Sequence, residues 1–223
     1  MIIIPAAGEG RRFQEAGYKG PKHLIPLDGV PMIDWVVRNV RPLDPHGDVV
    51  VASQTTVGKT KGAMETIKRA LTGYPPKAGE PLVIANCDQL IRVPENFFTS
   101  GVGHGVIFTF KSASPAHSYV YTDRRGRITG IVEKPLTPPT NQAVSGVYYF
   151  ANSAALTTAI KDSLAGEGRS QSAEDSTGEQ YLSVALRRMI QQEYTLYAID
   201  VPTAILGTPE DFQRFETALE ILR

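Results

Sequence analysis

The first segment whose residue types could carry chemistry is a glycine-rich turn at residues 5–10, directly after a short apolar run. Glycines at the end of a strand allow backbone N–H groups to approach an anion closely. Two cationic side chains, Arg12 and Lys22, follow the turn and could neutralise phosphate charge. The pattern therefore indicates a phosphate-binding turn. A surface loop rich in glycine and arginine is the alternative that the turn alone leaves open.

Two well-known phosphate-binding patterns do not fit this chain. A dinucleotide-binding fingerprint needs a third glycine three residues after Gly10, and Phe13 stands there. A Walker A loop is suggested only by residues 58–60, and Ser53 occupies the place of its first glycine. Neither pattern therefore accounts for the glycine-rich turn.

A carboxylate, Asp88, follows a second apolar run at residues 81–85. An open α/β sheet usually binds its ligands just beyond the carboxyl ends of its strands. Because Mg²⁺ prefers carboxylate and phosphate oxygens, Asp88 is a candidate magnesium ligand at such an edge. The alternative is that Asp88 caps a helix.

The elements that must position these residues alternate between strand and helix patterns, which is typical of an α/β domain with a largely parallel, buried sheet. Short apolar runs predict strands at residues 2–4, 24–27, 49–52, 81–85, 144–150 and 195–201. Apolar residues at helical spacing predict helices at residues 31–40, 63–71, 153–164, 182–189 and 209–222.

The middle of the chain has a different character from the rest. Strand patterns at residues 105–110, 119–122 and 128–133 surround a turn at 123–126, and they predict an antiparallel insertion beside the main sheet. Residues 166–178 are polar and lack an apolar period, so they form either a mobile lid or a surface loop.

The composition excludes several classes of protein. The 23 Lys plus Arg residues balance 23 Asp plus Glu, so the formal net charge is zero. Nucleic acids and membrane surfaces are polyanions that require a clustered excess of Lys and Arg, so neither is an expected partner. With 42% hydrophobic and 21% charged residues, we expect a single globular domain over residues 1–223.

Cysteine, histidine and the apolar runs add expectations about compartment. The single cysteine, Cys87, cannot form an internal disulfide, and the four histidines show no metal-ligand spacing. The longest apolar runs fall short of the roughly 18 residues of a membrane span, and the N-terminal run is too short for a signal peptide. We therefore expect a soluble, cytoplasmic protein.

Further motifs resemble, in the same order, those of the nucleotidyltransferase family that makes NDP-sugars. The N-terminal match runs over residues 2–37 and includes the glycine-rich turn, Arg12 and Lys22. The later matches are residues 61–63, Asp88, residues 132–135, residues 145–148 and residues 207–211. The resemblance covers nearly the whole chain and implies a Rossmann-like fold. Such a fold has a mixed, mainly parallel sheet flanked by helices, with a small antiparallel lobe that binds the acceptor.

The resemblance implies a reaction in which a phosphorylated metabolite attacks the α-phosphorus of a nucleoside triphosphate and pyrophosphate leaves. Such chemistry depends on positioning and charge neutralisation more than on a protein nucleophile. By the family's pattern, Arg12 holds the departing phosphates, Lys22 bridges the α-phosphate and the incoming phosphate, and Asp88 binds Mg²⁺. The other implied positions are nucleotide-binding backbone at Ala6, Ala7, Gly8, Gly10 and Gly62, and acceptor-binding residues Glu133, Lys134, Gly146 and Tyr148.

Simpler explanations of the acceptor motifs stay open. Glu133 and Lys134 could form the solvated end of a hairpin, and Gly146 could be only a β-bulge.

One departure from the family's pattern concerns the second metal ligand. Members that make NDP-sugars have a second metal-binding Asp two residues before the Gly-Thr motif, where this chain has Ile205. Either Asp88, the triphosphate and water hold Mg²⁺, or a neighbouring carboxylate such as Asp200 or Asp211 replaces the missing one. Asp211 can also cap a helix, so Asp200 is the preferred substitute.

The compact C-terminal end and residues 15–18 resemble short capsule-associated members of the family, which include cytidylyltransferases. We therefore expect a pyrimidine triphosphate, CTP first, a small phosphorylated acceptor, and a role in surface-polysaccharide synthesis. The alternatives are an enzyme that joins UTP or dTTP to a sugar 1-phosphate and a non-catalytic nucleotide-binding protein. A glycosyltransferase would typically show Asp-x-Asp where this chain has Asp88 alone. The sequence leaves open whether the chain forms a homo-oligomer.

Overall fold

The computed structural model describes residues 1–95, 97, 102–167 and 179–215 of the 223-residue chain. Its strands are β1 Ile2–Ala6, β2 Pro26–Leu27, β3 Val30–Pro31, β4 Val49–Ser53, β5 Leu82–Ala85, β6 Gln89–Ile91, β7 Gly105–Lys111, β8 Tyr119–Thr122, β9 Ile128–Val132, β10 Gln142–Phe150, β11 Leu196–Asp200 and β12 Thr203–Ile205. The predicted loop beyond residue 167 and the predicted last helix beyond residue 215 lie outside the described residues.

The α-helices are α1 Arg11–Glu15, α2 Met32–Val40, α3 Gln54–Val57, α4 Ala63–Gly73, α5 Ala154–Asp162, α6 Leu182–Gln191 and α7 Pro209–Gln213. Short 3-10 turns cover Lys22–Leu24 and Arg41–Leu43, and one π-helical turn covers Ser163–Glu167. None of the helices in the described part of the chain has the length and apolar character needed to cross a membrane.

Eight strands form one sheet whose main path has the order β11-β7-β10-β5-β1-β4, and β8 and β9 extend it from β10. Strand β1 is parallel to both β4 and β5, and β11 is parallel to β7. Strand β10 is antiparallel to its neighbours β5 and β7. All strands of the main path except β10 therefore run in one direction, which confirms the mixed, mainly parallel sheet that the sequence predicts.

The apolar run of β1 is explained by the helices that cover both faces of the sheet. Ile3 packs in the core cluster that contains side chains of α4, α5 and α6, whereas Ile2 and Ile4 pack in the cluster that contains α2. All three side chains are fully buried. Because successive residues of a strand point to opposite faces, a strand covered on both faces must be apolar throughout.

The predicted strand at residues 24–27 is shorter than expected. Backbone N–H groups of Leu24 and Ile25 donate to the carbonyls of Pro21 and Lys22, so a 3-10 turn replaces the start of the strand. What remains, β2, pairs with β3 in a small hairpin. Pro31 belongs to this hairpin, and α2 therefore begins one residue after it.

The antiparallel insertion is smaller than the sequence predicts. Strand β7 pairs with β10 on one edge and with β11 on the other, and its first five residues are buried, so it belongs to the main sheet. Strands β8 and β9 form the antiparallel hairpin, which joins the sheet where Tyr119 pairs with Ala143. The antiparallel lobe is therefore built from β8 and β9 alone.

A further two-stranded sheet, formed by β6 and β12, connects distant parts of the chain and was not predicted. Strand β12 pairs antiparallel with β6, with Ile205 opposite Gln89. The backbone N–H of Leu206 then donates to the carbonyl of Asp88 at 2.7 Å. This pairing brings residues 205–207 beside the carboxyl end of β5.

Candidate active site

An ion pair between Lys22 and Asp88 lies where the turn after β1 meets the segment after β5. Lys22 Nζ is 2.5 Å from Asp88 Oδ2 and also donates to the carbonyl of Gly207 at 3.1 Å. The same ammonium lies 4.9 Å from the centroid of the Phe13 ring, within the range of a cation–π contact. One cation therefore joins three segments that are far apart in sequence.

The parallel pairing of β1 and β5 explains why these two residues can meet. Two neighbouring parallel strands end at the same edge of the sheet, so the segments that follow β1 and β5 are adjacent. Asp88 precedes β6 rather than a helix, so the alternative that it caps a helix is wrong. Both side chains are largely shielded from solvent, with 16% of Lys22 and 19% of Asp88 exposed.

Gly10 allows the glycine-rich turn to pass close to Lys22. Its φ of 65° lies in the left-handed region, where a side chain is strained. A Cβ at this position would also lie 3.1 Å from the Cβ of Lys22, which is closer than ordinary van der Waals contact. Glycine therefore serves both the turn and the approach of the lysine.

The rest of the turn has a buried part and an exposed part. Ala6 and Ala7 are buried, and the Ala7 carbonyl accepts a hydrogen bond from Gln54 Nε2 at 3.0 Å. Gly8 is exposed, and no atom lies within 4 Å of where its Cβ would be. The backbone around Gly8 is therefore open to a ligand on that side.

Gly62, the position before α4, has a local structural role that the sequence did not reveal. Its φ is 153°, and a Cβ there would lie 2.6 Å from both the backbone N and the backbone O of Gln180. The Gln180 N–H donates to the Lys61 carbonyl, and the Met64 N–H donates to the Gln180 carbonyl, both at 3.0 Å. Gly62 therefore permits a close backbone contact between two segments.

The two arginines of α1 differ in their surroundings. Arg11 Nε pairs with Glu9 Oε2 at 2.8 Å on the exposed surface. Arg12 is also exposed, and its charge contributes to the environment of Glu210. The pKa of Glu210 lies below its ordinary value mainly because its carboxylate accepts hydrogen bonds from its own backbone N–H and from Thr208, and the charge of Arg12 acts in the same direction.

Glu133 and Lys134 are held by α6 and the segment before it rather than forming a solvated hairpin end. The half-buried Glu133 carboxylate oxygen Oε2 accepts hydrogen bonds from the hydroxyls of Ser118 and Ser183, each at 2.6 Å. Lys134 Nζ donates to the Tyr181 hydroxyl at 2.8 Å and lies 4.1 Å from the centroid of its ring. The carboxylate is thus fixed, while the exposed ammonium rests on an aromatic face.

Gly146 and Tyr148 lie at an irregularity of β10, where its register with β7 shifts between Val144 and Tyr148. Gly146 has a φ of 79°, and a Cβ there would overlap Gln89 Oε1, only 1.7 Å away. Tyr148 is buried, and burial, followed by the charge of Glu133, raises the pKa of its hydroxyl well above the ordinary value. Gly146 is therefore part of a bulge, and Tyr148 stays protonated.

Ile205 lies close to the ion pair. A Cβ added to Gly207 would lie 3.4 Å from Ile205 Cγ2 and 3.7 Å from Asp88 Oδ2. Asp211 Oδ2 is also 3.7 Å from the same point. That oxygen accepts hydrogen bonds from the N–H and the hydroxyl of Thr208, at 2.7 and 3.0 Å, so Asp211 caps α7.

Asp200 is placed away from Asp88. Its carboxylate lies 3.6 Å from Lys111 Nζ and accepts a 3.5 Å hydrogen bond from the Thr109 hydroxyl, both on β7. Strands β7 and β10 lie between β11 and β5, so three strand spacings, roughly 14 Å, separate the two strands. Asp211 Oδ2 and Asp88 Oδ2, by contrast, both lie 3.7 Å from the position of a Cβ on Gly207, so Asp211 is a carboxylate that lies beside Asp88.

The donor set around Asp88 fits Mg²⁺ only together with a nucleotide. No group of three or more His, Cys, Asp or Glu side chains that could hold a metal exists among the described residues. Mg²⁺ is commonly bound by one or two carboxylates plus substrate phosphates, and the Asp88 carboxylate is a group of this kind. The neighbouring Cys87 thiol is a soft sulfur group that Mg²⁺ does not prefer, and burial, followed by the charge of Asp88, raises its pKa to about 12.

Sequence reasoning missed several residues that hold the site together. The Gly207 carbonyl binds Lys22, and the hydroxyls of Ser118, Ser183 and Tyr181 bind the Glu133–Lys134 pair. These contacts depend on segments brought together by the fold, and isolated Ser and Tyr residues carry no spacing signal. Residues 207–211 were singled out as a motif, but nothing in it indicated that a backbone carbonyl would be the contacting group.

Family models match both halves of the chain. A model described as nucleotidyl transferase matches residues 60–201, and one described as MobA-like NTP transferase domain matches residues 2–99. The chain therefore belongs to the nucleotidyl transferase family, which confirms the resemblance of its motifs.

The relatives found by comparison bear on the fold and on the chain's extent. The low-salt glycan biosynthesis nucleotidyltransferase Agl11 of Haloferax volcanii is 22% identical in a 182-position alignment that covers 67% of this chain and 48% of the relative. The chain thus matches about half the length of that protein.

The nucleoside-diphosphate-sugar pyrophosphorylase of Vibrio cholerae RC9 superposes with a TM-score of 0.81, at 19% identity, over 96% of this chain and 99% of its own. A UDP-glucose pyrophosphorylase from Acinetobacter baumanii gives 0.71, at 16% identity, over 98% and 93%. These structures confirm the Rossmann-like fold.

The adjacent arginines of α1 offer a matched test of phosphate binding. If Arg12 holds the departing phosphates, as the family's pattern implies, we expect Arg12→Ala to lower kcat/KM by on the order of 100-fold, because the variant lacks that cation. Arg11→Ala removes a cation that Glu9 already neutralises, so its rate should stay within about 3-fold of wild type. The test is to measure the rate of pyrophosphate release by both variants and by wild type. Equal rates for the two would contradict the role of Arg12.

Asp88→Asn tests whether the ion pair serves chemistry rather than stability. The amide keeps an oxygen that can accept from Lys22 but loses the negative charge, so we expect about 100-fold slower magnesium-dependent turnover. The thermal midpoint should fall by no more than about 6 °C, because the amide oxygen and the Gly207 carbonyl still accept hydrogen bonds from the shielded Lys22 ammonium. Asp162→Asn, which weakens a partly buried pair with Arg188 away from the candidate site, is the control and should leave turnover unchanged. A large loss of stability with normal turnover would show that Asp88 is structural.

His23, next to Lys22, makes folding sensitive to pH. Burial lowers the pKa of His23 below its ordinary 6.5, so the unfolded chain binds a proton more readily than the folded chain. The contribution of His23 to the free energy of unfolding should therefore be largest above about pH 6.5 and decrease as the pH falls below that value. This pKa shift contributes at most about 1.4 kcal/mol per pH unit.

Urea unfolding of wild type and His23→Gln at several pH values measures this effect. In the variant the free energy of unfolding should decrease less steeply as the pH falls. Part of the decrease that remains should come from His117, because burial also lowers the pKa of that residue. If the free energy of unfolding of His23→Gln depended on pH as steeply as that of wild type, His23 would not be the source of the pH dependence.

Proposed function

We propose that this chain transfers a nucleotidyl group from a nucleoside triphosphate to a small phosphorylated acceptor and releases pyrophosphate. The observation that carries the proposal is the Lys22–Asp88 pair at the edge of the sheet, beside the glycine-rich turn. A shielded cation and carboxylate next to an open backbone turn suit a bound polyphosphate. A protein that only bound nucleotide would not need the carboxylate there.

In the proposed reaction an oxygen of the acceptor's phosphate forms a bond to the α-phosphorus. The bond from that phosphorus to the bridging oxygen of the β-phosphate breaks, and pyrophosphate leaves with the electron pair. The attacking oxygen is already anionic, so no protein base is required. Lys22 stabilises the charge that gathers at the α-phosphate, and Arg12 binds the departing phosphates.

Asp88, together with phosphate oxygens of the nucleotide, would hold Mg²⁺, which neutralises phosphate charge when it is bound. Ile205 supplies no oxygen at the neighbouring position. Of the two carboxylates that could substitute, Asp211 is the better candidate by position, although it also caps α7, and Asp200 is bound to Lys111. This reverses the preference for Asp200 drawn from the sequence.

Gly8 and Gly62 would meet the nucleotide through their backbones, with Ala6, Ala7 and Gly10 shaping the turn. On the acceptor side we assign Lys134 to the anionic group, because its ammonium is exposed. Glu133 would bind acceptor groups through the oxygen not used by Ser118 and Ser183, and Gly146 and Tyr148 would complete the acceptor site.

For the base we propose a pyrimidine, CTP first, and for the acceptor a small phosphorylated metabolite of surface-polysaccharide synthesis. The absence of the family's second Asp, at Ile205, favours a short non-sugar member. A sugar 1-phosphate joined to UTP or dTTP is the second candidate. It is favoured by the names of the structural relatives, which are NDP-sugar and UDP-glucose pyrophosphorylases. The reaction uses a cellular triphosphate, so we place it in the cytoplasm.

A substrate panel tests the proposal. Each of the four ribonucleoside triphosphates and dTTP is combined with hexose 1-phosphates and with phosphorylated amines or amides, and pyrophosphate release is measured with Mg²⁺ present. We expect release with CTP and a non-sugar acceptor, and none from the Lys22→Ala protein. Preference for ATP or GTP would contradict the base assignment, and exclusive use of a hexose 1-phosphate would favour the second candidate. No release from any pair by folded wild type would contradict nucleotidyl transfer itself.

A further inference from the structure

A short stretch of chain touches both sides of the candidate active site. We call residues 179–183 the bridging segment. Its last two residues are the first two residues of α6, which begins at Leu182. Its Gln180 backbone pairs with Lys61 and Met64 on either side of Gly62, at 3.0 Å in each direction. Because a Cβ on Gly62 would lie 2.6 Å from the Gln180 backbone, this contact is close-packed.

The other contacts of the bridging segment reach the acceptor motif. The Ser183 hydroxyl donates to Glu133 Oε2 at 2.6 Å. One residue from Gln180, the Tyr181 hydroxyl accepts from Lys134 Nζ at 2.8 Å and donates to Glu179 Oε2 at 2.5 Å. A segment anchored on the nucleotide side thus binds both residues of the acceptor pair.

Tyr181 constrains Lys134 in two ways at once. The ammonium lies 4.1 Å from the centroid of the Tyr181 ring, and its hydrogen bond to the hydroxyl fixes the direction of approach. The Tyr181 hydroxyl has its own proton committed to Glu179, so its oxygen is oriented to accept. Lys134 itself has a φ of 36°, an uncommon conformation for a residue with a side chain.

A lysine that is free in solvent would have to be ordered when it binds an anion. A lysine side chain carries a large rotamer entropy, and ordering it beforehand removes this cost from the binding step. Lys134 is exposed, so its outer face is available to a ligand while its inner face rests on Tyr181.

We propose that Tyr181 is a positioning residue that holds Lys134 ready for the anionic group of the acceptor. This inference rests on the proposed function, because it assigns the acceptor to Lys134. Tyr181 acts through Lys134 and does not itself contact the reacting atoms.

Tyr181→Phe tests the inference, because it keeps the aromatic face and removes only the hydroxyl. We expect KM for the acceptor to rise roughly 5-fold, with kcat within about 2-fold and KM for the nucleotide unchanged. Tyr121→Phe is the matched control. Tyr121 lies on β8 and is 44% exposed. Its replacement by Phe should leave all three constants at their wild-type values.

A double-mutant cycle separates positioning from a purely structural effect. In a Lys134→Met background, Tyr181→Phe should produce no further rise in acceptor KM, because the group that it positions is already absent. Equal rises in both backgrounds, or an unchanged acceptor KM in the single variant, would overturn the role of Tyr181. If wild type releases no pyrophosphate with any substrate pair, the proposed function fails instead, so the two failures are distinguishable.

Discussion

The ion pair between Lys22 and Asp88 is the interaction on which the rest of the site depends. A charge shielded from water costs several kcal/mol unless an opposite charge and hydrogen bonds compensate for it. Lys22 and Asp88 are only 16% and 19% exposed, and each is stable there because the other lies 2.5 Å away. Parallel pairing of β1 with β5 supplies the shared edge, and the β6–β12 sheet adds the carbonyl of Gly207. The fold therefore gathers opposite charges where a polyphosphate would need both.

Much of this arrangement could be predicted from local patterns. The unbroken apolar runs of β1 and β5 identify strands covered on both faces, and they place the glycine-rich turn and Asp88 at one edge. The family pattern carried the reading further, to Lys22 and the Glu133–Lys134 pair. The strand predictions are confirmed because the information for a strand lies within a few neighbouring residues, whereas the roles of Lys22 and the Glu133–Lys134 pair stay predictions.

The parts that could not be predicted depend on contacts between distant segments. Strands β6 and β12 have three residues each, too few for a periodic signal, yet their pairing places Ile205 beside Asp88. Asp200 was preferred over Asp211 because only a capping role could be read for Asp211, and the strand order that separates Asp200 from Asp88 was not available from the sequence. Likewise, the reason for Gly62 became visible only in its contact with Gln180.

The most direct test of the account follows the phosphorus atoms of the substrate. Wild-type protein is incubated with its preferred triphosphate and acceptor, with a radioactive label at the α-phosphorus in one experiment and at the γ-phosphorus in another. The account predicts that the α label appears in a nucleotide–acceptor product and the γ label in pyrophosphate. A γ label found in orthophosphate or on the acceptor would contradict it, since Lys22 and Asp88 would then serve hydrolysis or transfer of the terminal phosphate.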